Sequence, residues 1–219
     1  MAFKIIPEQQ LDRFVEACHQ IADHGLVRCG SGNLSWRADD TRMLVKASRA
    51  WMSDLTRDDV AICRIADGAT TNERKPSVEI GFHAGILRAR PDVNVVLHFQ
   101  TPAATTLACM DLKDANFAVI PEVPYYLGPV GDVGYLAPGS EGLAGAVTAV
   151  MLDHDVALLR NHGQITVAKD FRGAIQNAVF FELACEILLR GGDRVRPLSE
   201  ADVRALRPTV SRRGSAAAV

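Results

Sequence analysis

The chain has 219 residues, 48% hydrophobic and 23% charged, a length and balance suited to one globular domain with a buried core. Its 24 basic and 26 acidic residues leave a formal charge of −2, which lacks the basic signature of nucleic-acid or anionic-membrane binders. No stretch approaches the roughly 18 apolar residues of a membrane-crossing helix. The opening MAFKIIPEQQ turns polar too early for a signal-peptide core, so a soluble, cytoplasmic protein is expected.

In chain order, residues 7–25 read as an amphipathic helix, with Leu11, Phe14, Val15, Cys18, Ile21 and Ala22 at helical spacing. Pro7 stands near its start and Gly25 just past its end. CGSGNLSWR at 29–37 reads as a small-residue turn. Residues 43–48 and 60–66 read as strands, with a capped helical turn at 53–59 between them and a turn at Asp67-Gly68. Ser77 is the expected N-cap of a helix running to about residue 90. Residues 94–99 form a continuous apolar strand, expected to be buried on both faces.

A helix is expected over 102–109, then a long Pro- and Gly-rich ordered loop with short strands over 116–138. Helix 141–152, strands 157–161 and 164–168, and a long helix over 170–190 ended by Gly191-Gly192 complete the pattern. No repeat or linker interrupts it. Residues 1–206 are therefore read as a single domain and 207–219, without large apolar side chains, as a disordered tail. The five cysteines (Cys18, Cys29, Cys63, Cys109, Cys185) form no C-x-x-C pair and read as reduced, buried small residues.

Among the histidines, His19, His24 and His154 fall in solvated or structural positions, and His83, one turn beyond Glu79, reads as a core histidine. His98 and His162 differ, because each ends an apolar strand, where a side chain can leave the sheet for a cleft. Two histidines with a nearby carboxylate are the common ingredients of a mononuclear metal site, and Glu79 is the candidate carboxylate.

Four local sequences occur in order: Gly-Ser-Gly-Asn-Leu-Ser at 30–35, Lys-Pro-Ser-Val-Glu at 75–79, Arg-Pro-Asp-Val at 90–93 running into Val-Val-Leu-His at 95–98, and Arg-Asn-His-Gly at 160–163. Over roughly residues 8–190 the chain resembles the class II aldolase/adducin family. The resemblance implies a three-layer α/β/α fold around a central, mainly antiparallel sheet. It also implies a homotetramer with active sites at subunit interfaces and a small-molecule substrate.

In that family a divalent ion, usually zinc, is held by an H-x-H pair and a later histidine, and a glutamate is the acid/base. Here His98 matches the first histidine, His162 the last and Glu79 the glutamate, whereas Gln100 replaces the second histidine. A neutral amide oxygen is a harder and poorer zinc ligand than imidazole, so manganese or magnesium become credible beside zinc. For the phosphate pocket of sugar-phosphate members, Asn33, Ser48 and Ser77 match, while Arg49 replaces a glycine and Val78 a serine. Arg49 adds a fixed charge able to fork onto phosphate or carboxylate. Tyr125 or Tyr126 falls where the family's proton-donor tyrosine lies.

The resemblance thus implies an aldehyde-lyase making or breaking a C–C bond of a small hydroxy-carbonyl compound through a metal-stabilised enediolate. Decarboxylation, epimerisation and dehydration share that intermediate and stand as alternatives, as does a non-catalytic adducin-like interaction domain.

Overall fold

The computed structural model describes residues 5–111 and 115–206, so the tail expected from residue 207 lies outside the described residues. A seven-stranded sheet of order β3-β2-β1-β4-β7-β6-β5 forms the centre. Its strands are β1 (Asn33–Arg37), β2 (Arg42–Lys46), β3 (Val60–Arg64), β4 (Val95–Phe99), β5 (Val130–Val133), β6 (Val156–Leu159) and β7 (Gly163–Ala168). Every pairing is antiparallel except β5 with β6. That exception follows from α4 (Glu141–Met151), which carries the chain across the sheet between those two strands.

Helices α1 (Glu8–Asp23), α3 (Pro102–Ala108) and α5 (Phe171–Gly191) pack on one face; α2 (Ile80–Ala89) and α4 pack on the other. Two apolar clusters result, one per face, giving the three layers expected. Strand β4 shows how one sequence serves both. Val95, Leu97 and Phe99 enter the first cluster and Val96 the second, because side chains alternate along a strand. His98 shares the side of Val96, which turns it toward α2. In α1, Phe14, Ala17, Cys18 and Ile21 are buried, the stripe that its spacing foretold.

The sequence reading needs four corrections. Residues 33–37, read as part of a turn, are strand β1, paired on both sides. The Ser77 cap is displaced: the helix begins at Ile80 with Glu79 in the cap position, and the Ser77 hydroxyl accepts from the Glu79 amide at 3.3 Å. A short helix α6 (Glu200–Leu206) follows the long helix, where no element was expected. Cys18, Cys63 and Cys185 are buried and free as expected, but Cys29 and Cys109 are exposed. The loop over 116–138 does contain short elements: a π-helical turn, Val123–Leu127, and β5. No helix among the described residues is long and apolar enough to cross a membrane.

Candidate metal and anion site

Glu79, His98 and His162 come from three separate parts of the chain and converge on the α2 side of the sheet. Glu79 stands at the N-terminus of α2, His98 on the central strand β4, and His162 in the turn between β6 and β7. Asn161 takes a left-handed φ of 52° to make that turn. Gly163 must be glycine, since a Cβ there would stand 2.7 Å from the Phe99 carbonyl and 3.0 Å from the His98 ring.

The three side chains can offer donor atoms lying within 4.8 Å of one another. His98 Nδ1 lies 2.9 Å from the Gln164 carbonyl, which can only accept, so in the neutral ring Nδ1 carries the proton and Nε2 presents its lone pair. That lone pair faces Glu79 Oε2 at 3.4 Å. His162 Nε2 stands 3.3 Å from Glu79 Oε1, an oxygen that is buried and finds no hydrogen-bond donor among the described residues. Burial, with His98 alongside, lowers the His162 pKa, and Glu79 opposes that shift. Two imidazoles turned toward a buried carboxylate are a donor set that a divalent cation fits, and such a set suits zinc or manganese.

Behind this triad runs a buried chain of hydrogen bonds. Asn33 Nδ2 donates to Glu79 Oε2 at 2.9 Å. Asn33 Oδ1 is bonded to His83 Nε2, and His83 Nδ1 to Ser35 Oγ at 2.7 Å. Asn33 and Ser35 are two apart on β1 and so share the face toward α2. Burial pushes the His83 pKa down to about 3, with the proximity of His98 adding to it, so its ring is neutral near pH 7.

The triad lines an open cleft of about 400 Å³, which is also lined by Lys46, Ser48, Arg49, Ser77 and the Gly30–Ser31–Gly32 turn. Lys46 is a site residue that sequence reasoning missed. Its ammonium donates to the carbonyls of Gly30 at 3.1 Å and Ala50 at 2.6 Å, tying the two loops that shape the cleft. Burial lowers its pKa. Arg49, exposed at the mouth, holds φ at 67°, a conformation that favours glycine. A larger cavity of about 610 Å³ lies elsewhere, beside Phe117, Val130 and Leu198, and is lined by neither the triad nor Lys46 and Arg49.

Gln100 lines the cleft, and its Nε2 donates to the His162 carbonyl at 2.9 Å. Tyr125 and Tyr126 are not brought to the cleft of this chain. They meet edge to face at 4.7 Å on the surface, and Tyr126 stacks on Phe180 of α5.

The family model described as Class II Aldolase and Adducin N-terminal domain matches residues 12–189. The chain belongs to this family. Among curated class II aldolase relatives, a 3-oxo-tetronate 4-phosphate decarboxylase of Haemophilus influenzae is 28% identical, covering 90% of this chain and 95% of its own. A 5-methylthioribulose-1-phosphate/5-deoxyribulose-1-phosphate aldolase of Rhodospirillum rubrum is 33% identical over 78% of this chain and 76% of the relative. Of solved structures, YgbL of Escherichia coli superposes with a TM-score of 0.85 at 24% identity, over 91% of this chain and 98% of that one. An L-fuculose 1-phosphate aldolase gives 0.80 at 22% identity, over 94% and 96%. At those identities the likeness to the solved structures is one of class II aldolase fold.

Proposed function

We propose that this protein is a metal-dependent C–C lyase acting on a small phosphorylated hydroxy-carbonyl compound, and that its reaction is decarboxylation of a phosphorylated 3-oxo sugar acid. The observation that carries this reading is the Glu79, His98 and His162 triad sharing one cleft with the basic side chains Lys46 and Arg49. A divalent ion, zinc or manganese, held by His98 and His162 and completed by Glu79 or the Gln100 amide oxygen, would supply Lewis-acid polarisation of the substrate's keto oxygen.

The chain's own groups do the rest. Lys46, Ser48, Arg49, Ser77 and Asn33 are the groups assigned to the substrate's anionic end, and they fix the distance from it to the reacting carbon. When the bond to the carboxyl carbon breaks, carbon dioxide leaves and the electron pair stays on the adjacent carbon. Glu79, in its protonated form and with that proton drawn from water in the open cleft, delivers a proton to that carbon and returns to the carboxylate. Decarboxylation needs one proton-transfer group at carbon, which Glu79 supplies. Aldol cleavage needs a second one at the hydroxyl oxygen, and Tyr125 and Tyr126 lie outside this chain's cleft. The Haemophilus influenzae decarboxylase also matches over 90% of this chain. The 33%-identical aldolase favours a second reading, retro-aldol cleavage of a ketose 1-phosphate. In that reading Tyr125 or Tyr126 reaches the cleft of a neighbouring subunit in a homotetramer. Both tyrosines are exposed enough for such a contact, at 42% and 37%.

The test is a paired assay of metal-loaded protein: carbon dioxide release from a phosphorylated 3-oxo acid, and aldehyde release from a ketose 1-phosphate. Turnover of the first, lowered about 100-fold or more by Glu79→Gln, supports the proposal. Turnover of the ketose phosphate alone selects the aldolase reading. Purified protein that holds no divalent metal and turns over neither overturns both.

A further inference from the structure

The hydrogen bonds behind Glu79 have a single direction. A carboxylate oxygen can only accept, so Asn33 turns its amide nitrogen to Glu79 Oε2. Its amide oxygen must then face His83, and that oxygen also can only accept, so His83 Nε2 carries the ring proton. His83 Nδ1 is left as the acceptor for the Ser35 hydroxyl. Every link from Ser35 through His83 and Asn33 therefore donates toward Glu79. The chain is buried: Ser35 and His83 are 0% exposed, and Asn33 at 4% and Glu79 at 6% meet solvent only where they line the cleft, so little solvent competes for these bonds.

We infer that His83 is a positioning residue. Through Asn33 it fixes which oxygen of Glu79 is held and which is left to face His162. His83 touches neither the cleft nor the other two triad residues by hydrogen bond, yet it decides the orientation of the Asn33 amide. Were that amide reversed, its oxygen would oppose the carboxylate, and Glu79 would turn away from His98 and His162. Burial adds to the effect by keeping the ring neutral, since an imidazolium would have no acceptor to offer Ser35. The role extends the metal reading given above and rests on it. It also gives Asn33 a task beyond anion binding: one of its amide hydrogens and its oxygen are already engaged.

Three variants test the inference. His83→Phe keeps the ring volume and removes both bonds. His83→Gln keeps a donor toward Asn33. Asn33→Ala leaves His83 intact and breaks the link. Zinc affinity, titrated by competition with a chromogenic chelator in protein shown to be folded, should fall about 10- to 100-fold in His83→Phe and Asn33→Ala, and stay within a few-fold of wild type in His83→Gln. A crystal structure of metal-free His83→Phe, or of Asn33→Ala should the first not fold, should find the Glu79 carboxylate rotated off the two histidines. Wild-type affinity in a folded Phe or Ala variant, or Glu79 unmoved in its crystal structure, overturns the inference. If wild-type protein itself binds no zinc or manganese, the metal reading fails, and the crystal structure alone still decides the role of His83.

Discussion

Asn33 and His98 are register partners across β1 and β4, and both meet the same oxygen: Asn33 Nδ2 lies 2.9 Å and His98 Nε2 3.4 Å from Glu79 Oε2. The sheet itself therefore aligns the carboxylate. A slip of one residue in this pairing would turn Asn33 to the other face and leave Oε2 without its donor. Gly32, just before β1, guards the register; at φ 69° a Cβ there would stand 2.8 Å from the His98 carbonyl.

Replacing Gln100 by histidine should tighten zinc binding. Gln100 lines the cleft beside His162, and imidazole is the better zinc donor. About tenfold tighter binding, or about 1.4 kcal/mol, is expected from chelator competition. Equal or weaker affinity in a folded variant would mean that position 100 serves His162 through its carbonyl and does not face the ion.

Arg49→Gly should raise stability while weakening anion binding. The left-handed φ of 67° costs a non-glycine residue about 1–2 kcal/mol, partly offset by the entropy of glycine in the unfolded chain. A net gain of roughly 0.5–1 kcal/mol in urea unfolding is expected, with weaker protection of the cleft by inorganic phosphate. Unchanged phosphate binding would remove Arg49 from the anion-binding set.

Lys46→Met should act in two ways. Two backbone carbonyls lose their donor, which costs about 1–3 kcal/mol, and the cleft loses a basic side chain. KM for a phosphorylated substrate should rise about tenfold or more, with kcat changed less, because the lost interaction is with the anionic end and not the reacting carbon. An unchanged KM would make Lys46 a loop tie alone.

His83 gives metal-free protein a pH dependence of stability. In the fold the ring stays neutral down to about pH 3, whereas in the unfolded chain it takes up a proton near 6.5. Between those values the unfolded chain binds more protons, so stability is full above about pH 6.5 and is lost as pH falls toward 3. His162 is shifted the same way. Urea unfolding with chelator present should therefore weaken below pH 6.5, and His83→Phe should flatten that fall by up to about 1.4 kcal/mol per pH unit. Parallel slopes in the two proteins would contradict the neutral, buried state of His83.

The sequence made the long helices and β4 legible because their apolar spacing is strong, and it brought Glu79, His98 and His162 forward because they fall within four ordered motifs of the class II aldolase/adducin pattern; two strand-end histidines and a carboxylate by spacing alone are a weak signal. It hid β1, since Gly30, Ser31 and Gly32 look like a turn and the strand begins at the next residue. With β1 hidden, Asn33 and Ser35 could not be seen to share a face, and His83 looked like an ordinary core residue. The signal was the pairing of Asn33-Leu34-Ser35 with a histidine one turn into the following helix. Lys46 was hidden for another reason: its partners are backbone carbonyls of two loops, and sequence carries no mark of such a contact.

The triad also straddles the middle of the sheet. Strands β1 to β3 and α2 carry Glu79 on one side, the β6–β7 turn carries His162 on the other, and β4, paired directly with β7, carries His98 at the seam. An ion gripping all three would stitch the N-terminal and C-terminal halves of the chain together at their one shared strand pair. Since the unfolded chain has no such grip, ion at about 100 times its Kd would hold the halves together by a further ~2.7 kcal/mol. The backbone amides of β4 and β7 would then exchange their hydrogens more slowly as a single unit, and losing the ion would loosen the domain along its length.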